Sequence, residues 1–200
     1  MIAGLVDRLR AFGRSSPRER AIEALHHRIN TASRQPGLYT ELGVPDSLEG
    51  RFECLILHVI LVLRRLKDLP EPAADVAQDL VNSVFLQLDS SLRESGIGDF
   101  GVPKRMKKLG AAFYGRAEGY DAALDAGNVA ALRAALARNV LGLEAPDAAD
   151  SLTCYVQAAA AALSETSLDG LIETGPPFPS PDPFATSRAE PGALSTRTTP

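Results

Sequence analysis

The chain has 200 residues, 45% of them hydrophobic, and a formal net charge of −4, which suits one domain with a real core. The charge is uneven: residues 1–117 carry 17 Lys and Arg against 14 Asp and Glu, residues 118–174 carry 2 against 9, and the remainder balances at 2 against 2. A basic and an acidic patch on one small domain suit protein partners and argue against a specific nucleic-acid ligand, which asks for a larger basic excess.

The pattern is helical from end to end. Ile2, Leu5, Val6, Leu9 and Phe12 repeat at helical spacing with Arg8, Arg10 and Arg14 on other faces, so residues 1–15 read as an amphipathic N-terminal helix. That segment would dock on the bundle, stay disordered, or lie on an anionic bilayer surface, which makes peripheral membrane contact a candidate. Ser16-Pro17-Arg18-Glu19 is a capping box with proline at the first helical position, opening a helix that buries Ile22, Leu25 and Ile29. A loop follows, in which Leu38, Tyr39, Leu42 and Val44 form an apolar cluster, either a lid over the core or an exposed partner-binding patch. Asp46, with Glu49 three residues on, starts a strongly apolar helix from Phe52 to Leu66. Its longest apolar run, Cys54–Leu63, is half of what a bilayer crossing needs.

Pro70 and Pro72 separate that helix from one with Val76, Leu80, Val84, Leu88 and Leu92 on a stripe, ending at Gly96. The next runs from Pro103 to about Ala126 and buries Met106, Leu109, Phe113, Tyr120 and Leu124. Gly127-Asn128 closes it and caps a shorter helix through Val140, and Pro146-Asp147 opens the last, through Leu163. From Gly175 on, seven of the fourteen prolines fall among Ser and Thr, which reads as a disordered tail over 175–200. The expectation is an all-α bundle of six to seven helices over residues 16–174.

The most informative segment is GDFGVPKRMKKLGAAFYGR, residues 98–116. It places Lys104, Arg105, Lys107 and Lys108 in the first turns of a helix, where the peptide dipoles disfavour cations by about 0.3–1 kcal/mol each. A waiting anionic or carbonyl-rich partner accounts for such a cluster, and Asp99, a loop residue just before it, joins the partner-binding set. Gly110, Gly115 and Gly119 each weaken the helix by about 1 kcal/mol relative to alanine. They imply close backbone approach, either to a neighbouring helix of the bundle or to a bound partner. Tyr114 and Arg116 flank them and are of the types that anchor interfaces.

Catalytic signatures are sparse. His26, His27 and His58 show no ligand spacing with carboxylates or thiols, Cys54 and Cys154 read as buried apolar residues of a reducing compartment, and no nucleotide-binding or nucleophile motif occurs. No metal or cofactor is expected. The competing class is a small enzyme on an anionic or quinone-like ligand, with the basic cluster binding it and Tyr114 or His58 supplying a proton. That class predicts a deep pocket of titratable groups beside Lys104–Lys108.

Two segments together, LYTELGVPDSLEGRFECLILHVILVLRRL (38–66) and GIGDFGVPKRMKKLGAAFYGRAEGYDAAL (96–124), resemble the ubiquinol–cytochrome c chaperone family, with ALARNVLG (135–142) as a weaker third block. Phe100 stands where leucine is expected, Leu141 where an aromatic is expected, and Gly110 is unusual. The change at Leu141 puts in doubt whether the third block touches a partner here. The resemblance implies an all-helical, non-catalytic assembly factor for the cytochrome bc1 complex (complex III) of the respiratory chain, with cytochrome b or an early assembly intermediate as its client. From the mitochondrial relatives it brings in the ribosome and a small partner protein as candidate partners. The length and the lack of a transit-type leader fit a bacterial, cytoplasmic member, peripheral at the inner membrane if the N-terminal helix binds there.

Overall fold

The computed structural model describes residues 16–94 and 101–185, and among them the elements are helical without exception. The N-terminal segment 1–15 read as an amphipathic helix, Asp99 and Phe100 all lie outside the described residues.

The first helix, α1 (Pro17–Ala32), opens as its sequence dictates. The Ser16 hydroxyl accepts from the Glu19 N–H at 3.1 Å, and the Glu19 carboxylate accepts from the Ser16 N–H at 2.6 Å. Such a cap contributes about 1 kcal/mol. The stretch read as a loop begins with one helical turn, α2 (Pro36–Thr40), because Pro36 presets its first position. The next helix, α3 (Leu48–Lys67), is capped by Ser47, whose hydroxyl accepts from the Gly50 N–H at 3.0 Å, and not by Asp46. Asp46 is instead held by the Arg51 guanidinium at 2.6 Å.

Every residue from Cys54 to Val62 is buried, so α3 is enclosed on all sides. Around it pack α1, α4 (Ala73–Glu94), α5 (Gly101–Asp125) and α7 (Asp150–Ser164). Between α5 and α7 lies α6 (Val129–Leu136), capped by Asn128 and continued by a π turn, Ala137–Leu141. The helix expected to open at Pro146 starts as a 3-10 turn, Pro146–Ala149, and becomes α-helical at Asp150. A further π turn, Gly170–Thr174, follows α7.

The boundary of the tail differs from the composition-based reading. Residues 176–185 lie on the bundle: Phe178 meets the His58 ring edge-on at 4.6 Å, and Phe184 meets Tyr155 edge-on at 5.8 Å. Two aromatic anchors and a buried Pro181 supply the apolar contact that the prolines alone lack. Prolines also lower the entropy lost on ordering the segment.

His58 is the polar centre of this core and is fully buried. Its Nδ1–H donates to the Cys54 carbonyl at 2.7 Å, which leaves Nε2 to accept from the Tyr155 hydroxyl at 2.7 Å. Burial lowers the His58 pKa from 6.5 to about 4, so the ring is neutral at pH 7. The folded chain therefore binds this proton less readily than the unfolded chain. The resulting stability is complete above pH 6.5 and is lost as pH falls through 4. The His58 contribution to unfolding free energy should decline by about 3 kcal/mol across that window. Urea titrations at pH 7, 5.5 and 4 should show a shallower pH slope in His58→Gln than in the wild type.

Candidate functional site

The exposed flank of α5 is built by spacing. Lys104, Lys107, Lys108, Ala111, Gly115, Glu118 and Ala122 recur at three- and four-residue intervals, which places them on one side of a helix, and all seven are exposed. The opposite side buries Val102, Phe113, Tyr120 and Ala123. Lys104, Arg105, Lys107 and Lys108 are all exposed, and none makes an ion pair among the described residues. Among the described residues this helix runs over Gly101–Asp125, with Pro103 in its first described turn. Proline is accommodated there because first-turn N–H groups have no intrahelical acceptor. The dipole penalty fades away from the helix start, so it falls less on Lys107 and Lys108 than on Lys104 and Arg105.

The three glycines of α5 separate into two kinds. A Cβ at Gly110 would touch Phe85 of α4 at an ordinary 3.7 Å, whereas a Cβ at Gly115 or Gly119 would meet nothing within 4 Å. Gly115 and Gly119 are therefore not explained by packing within the bundle. Beside them Tyr114 is 63% exposed, its ring resting edge-on against Phe113.

Arg116 is not the free interface anchor that its spacing implies. It turns inward, and its guanidinium binds the Glu53 carboxylate of α3 at 2.6 Å, with both side chains largely covered. Burial raises the Glu53 pKa even against the nearby guanidinium. The other Glu53 oxygen, Oε2, and the Arg116 Nε have no hydrogen-bond partner among the described residues. Glu53 was not among the sequence candidates, although a lone carboxylate between Phe52 and Cys54 on an apolar helix is the available sign of a buried pair.

The second candidate, Leu38, Tyr39, Leu42 and Val44, resolves as a lid and not as an exposed patch. Leu38, Leu42 and Val44 are buried in the core. Tyr39 is half-buried and donates to the Ser33 carbonyl at 2.8 Å. The acidic C-terminal half is partly neutralised within the chain: Arg64 pairs with Asp121 and Asp125, and Arg133 with Asp147 and Asp150. Leu141 of the third block is buried, so it faces the core. Two surface grooves are present, one between α1 and α4 beside His26 and Ser83, the other between α3, α5 and α7 beside Arg64; neither borders Lys104–Lys108. No helix among the described residues is long and apolar enough to cross a membrane.

These features define an all-helical protein with one exposed flank on a long helix, basic toward its start and lined with small residues along its middle. The chain matches the family described as ubiquinol-cytochrome C chaperone over residues 40–178. It is also similar to the crystal structure of the Cbp3 homolog from Brucella abortus, with 39% identity and a TM-score of 0.75, over 91% of this chain and 98% of that one. No curated protein matches it. The chain belongs to the ubiquinol–cytochrome c chaperone family, as the blocks at 38–66 and 96–124 indicate.

Two measurements probe the α5 flank. Gly115→Ala and Gly119→Ala should each raise stability by about 0.5–1 kcal/mol in urea unfolding, because the new methyl enters open space and reduces chain entropy. Arg116→Ala should lower stability by about 2 kcal/mol by leaving Glu53 covered and unpaired. Adding Glu53→Gln should recover part of that loss in a double-mutant cycle.

Proposed function

We propose that this chain is a non-catalytic assembly chaperone that holds cytochrome b, or an early bc1 intermediate containing it, on the open flank of α5 and so promotes complex III biogenesis. One observation carries the reading: the family match spans 40–178, and inside it lies a helix flank whose cations have no ion-pair partner and whose two glycines have no packing neighbour among the described residues. Similarity to a Cbp3 homolog at 39% identity supports the same assignment.

The flank suits a helical client. Ala111, Gly115, Gly119 and Ala122 keep the surface low, so another backbone can come close. The cations at Lys104–Lys108 can then bind polar loops or the carbonyl-rich C-terminal ends of client helices, where negative partial charge collects. Tyr114 borders the low strip and offers a rigid, partly apolar contact. Arg116 serves the same face from behind, by fixing α5 to α3. The ribosome, a small partner protein and peripheral contact with the inner membrane remain proposals that rest on the family resemblance and on the apolar stripe of residues 1–15.

In the native host, Lys104→Glu with Lys107→Glu should reduce bc1 complex levels severalfold while the purified variant keeps its Tm within about 1–2 °C, as expected for surface changes. A comparable fall in Tm would show that those lysines are structural. Pull-down of the tagged chain from host membranes should enrich cytochrome b. Recovery no greater than from the double variant would sink the client assignment.

A further inference from the structure

Residues 176–185 meet the bundle in the way a bound peptide meets its site. Among the described residues no hydrogen bond or ion pair joins them to the helices. The N–H groups of Phe178, Phe184 and Ala185 donate to carbonyls of Pro176, Pro181 and Asp182 in the same segment, and Ser180 pairs with Asp182. Contact runs through Phe178, Pro181 and Phe184, spaced by three. The segment turns at its end: Asp182–Phe184 form a 3-10 turn, whose three residues per turn set Pro181 and Phe184 on one side.

The surface is shaped for them. Phe178 packs edge-on against His58 and Phe184 against Tyr155. Pro181 and Asp182 sit over Gly37, where a Cβ would come within 2.8 Å of the proline ring and 2.7 Å of the carboxylate. Gly37 is thus the one residue type that leaves room. The floor is also chemically complete without its cover, since His58, Tyr155 and the Cys54 carbonyl satisfy one another. Uncovering it exposes apolar surface and leaves no orphaned polar group.

Just upstream the chain is pinned and then turns at a glycine. The Arg28 guanidinium donates to the Ile172 and Glu173 carbonyls at 2.5 and 2.9 Å, which fixes the π turn in place. Gly175 follows with φ +102°, a conformation other residues rarely adopt. Past that point the segment is held by side-chain contact alone, the mark of a locally weak unit.

We propose that this floor is a peptide-binding groove, occupied at rest by the chain's own Phe178-x-x-Pro181-x-x-Phe184 segment. Swinging out about Gly175, that segment yields the groove to a partner protein's proline-bearing segment with aromatic side chains six residues apart. The groove is separate from the α5 flank and does not rest on the client assigned there.

The probe is a fluorescein-labelled peptide of residues 175–186, titrated into full-length wild type and into full-length Phe178→Ala with Phe184→Ala. The double variant should bind the peptide at least tenfold more tightly than the wild type. A peptide with both phenylalanines replaced by alanine should not bind, and adding Gly37→Leu to the protein should abolish binding. Absence of binding to the double variant, or equal binding to both proteins, overturns the proposal. So does loss of the double variant's helical circular dichroism, which would make the segment part of the core. Hydrogen exchange on the wild type gives an independent reading: the amides of Phe178, Asp182 and Phe184 should exchange at least tenfold faster than those of Val59–Leu61. Equal protection overturns the proposal as well.

Discussion

The fold is governed by a helix that has no side to spare for water. From Cys54 to Val62 every residue of α3 is buried, His58 included. A helix apolar all round is stable in water only when other elements enclose it. Each fully buried leucine, isoleucine or valine there contributes about 1.5–3 kcal/mol. The bundle is the enclosure: α1, α4, α5, α7 and the π turn after α6 each take a share of the α3 surface. The last opening lies over His58 and is covered by the proline-rich segment through Phe178. Polarity returns only at the ends, where Arg64 reaches Asp121 and Asp125, and Arg65 donates to the Thr166 carbonyl at 2.8 Å.

This arrangement explains why α5 can leave one flank open. With α3 filling the centre, α5 needs only one buried edge, formed by Val102, Phe113, Tyr120 and Ala123. Ala117 and Leu124 pack beside that edge and Arg116 reaches Glu53, which leaves the flank through Lys104, Lys108, Ala111, Gly115 and Ala122 exposed. Gly115 and Gly119 persist there although they weaken the helix and have no packing neighbour among the described residues, where the cations near its start also lack an ion-pair partner. In proteins, local choices that contradict stability without a packing reason tend to mark functional sites.

Much of this was legible in the sequence because it is local. The Ser16-x-x-Glu19 box and the stripes of Val76, Leu80 and Val84 or of Phe113 and Tyr120 follow from helical period and capping chemistry, and they appear as expected. What stayed hidden depends on residues distant in the chain or on competition between equals. Asp46 and Ser47 are both good caps, and Arg51 decides between them by engaging the carboxylate. An apolar cluster at Leu38–Val44 reads equally as lid or patch until its burial is known. Arg116 looks like an interface anchor until Glu53, 63 positions away, turns out to face it. The prolines after Gly175 carry the composition of a tail, and only the floor made by Gly37, His58 and Tyr155 shows why Phe178 and Phe184 stay down.

The two polar side chains that interrupt the apolar length of α3 are handled in opposite ways. His58 stays neutral and is satisfied by two hydrogen bonds, so it imposes little beyond its own geometry. Glu53 is held against Arg116, and a largely covered ion pair of this kind adds little net stability, because desolvation offsets most of the attraction. Its value is directional. An aliphatic pair at that point would tolerate rotation of α5 about its axis, whereas a guanidinium and a carboxylate at 2.6 Å accept few orientations. Arg116 adjoins Gly115 and sits one turn from Gly119, in the part of α5 that its own backbone supports least. Fixing the rotation there keeps the low strip and its cations pointing outward on a glycine-weakened helix.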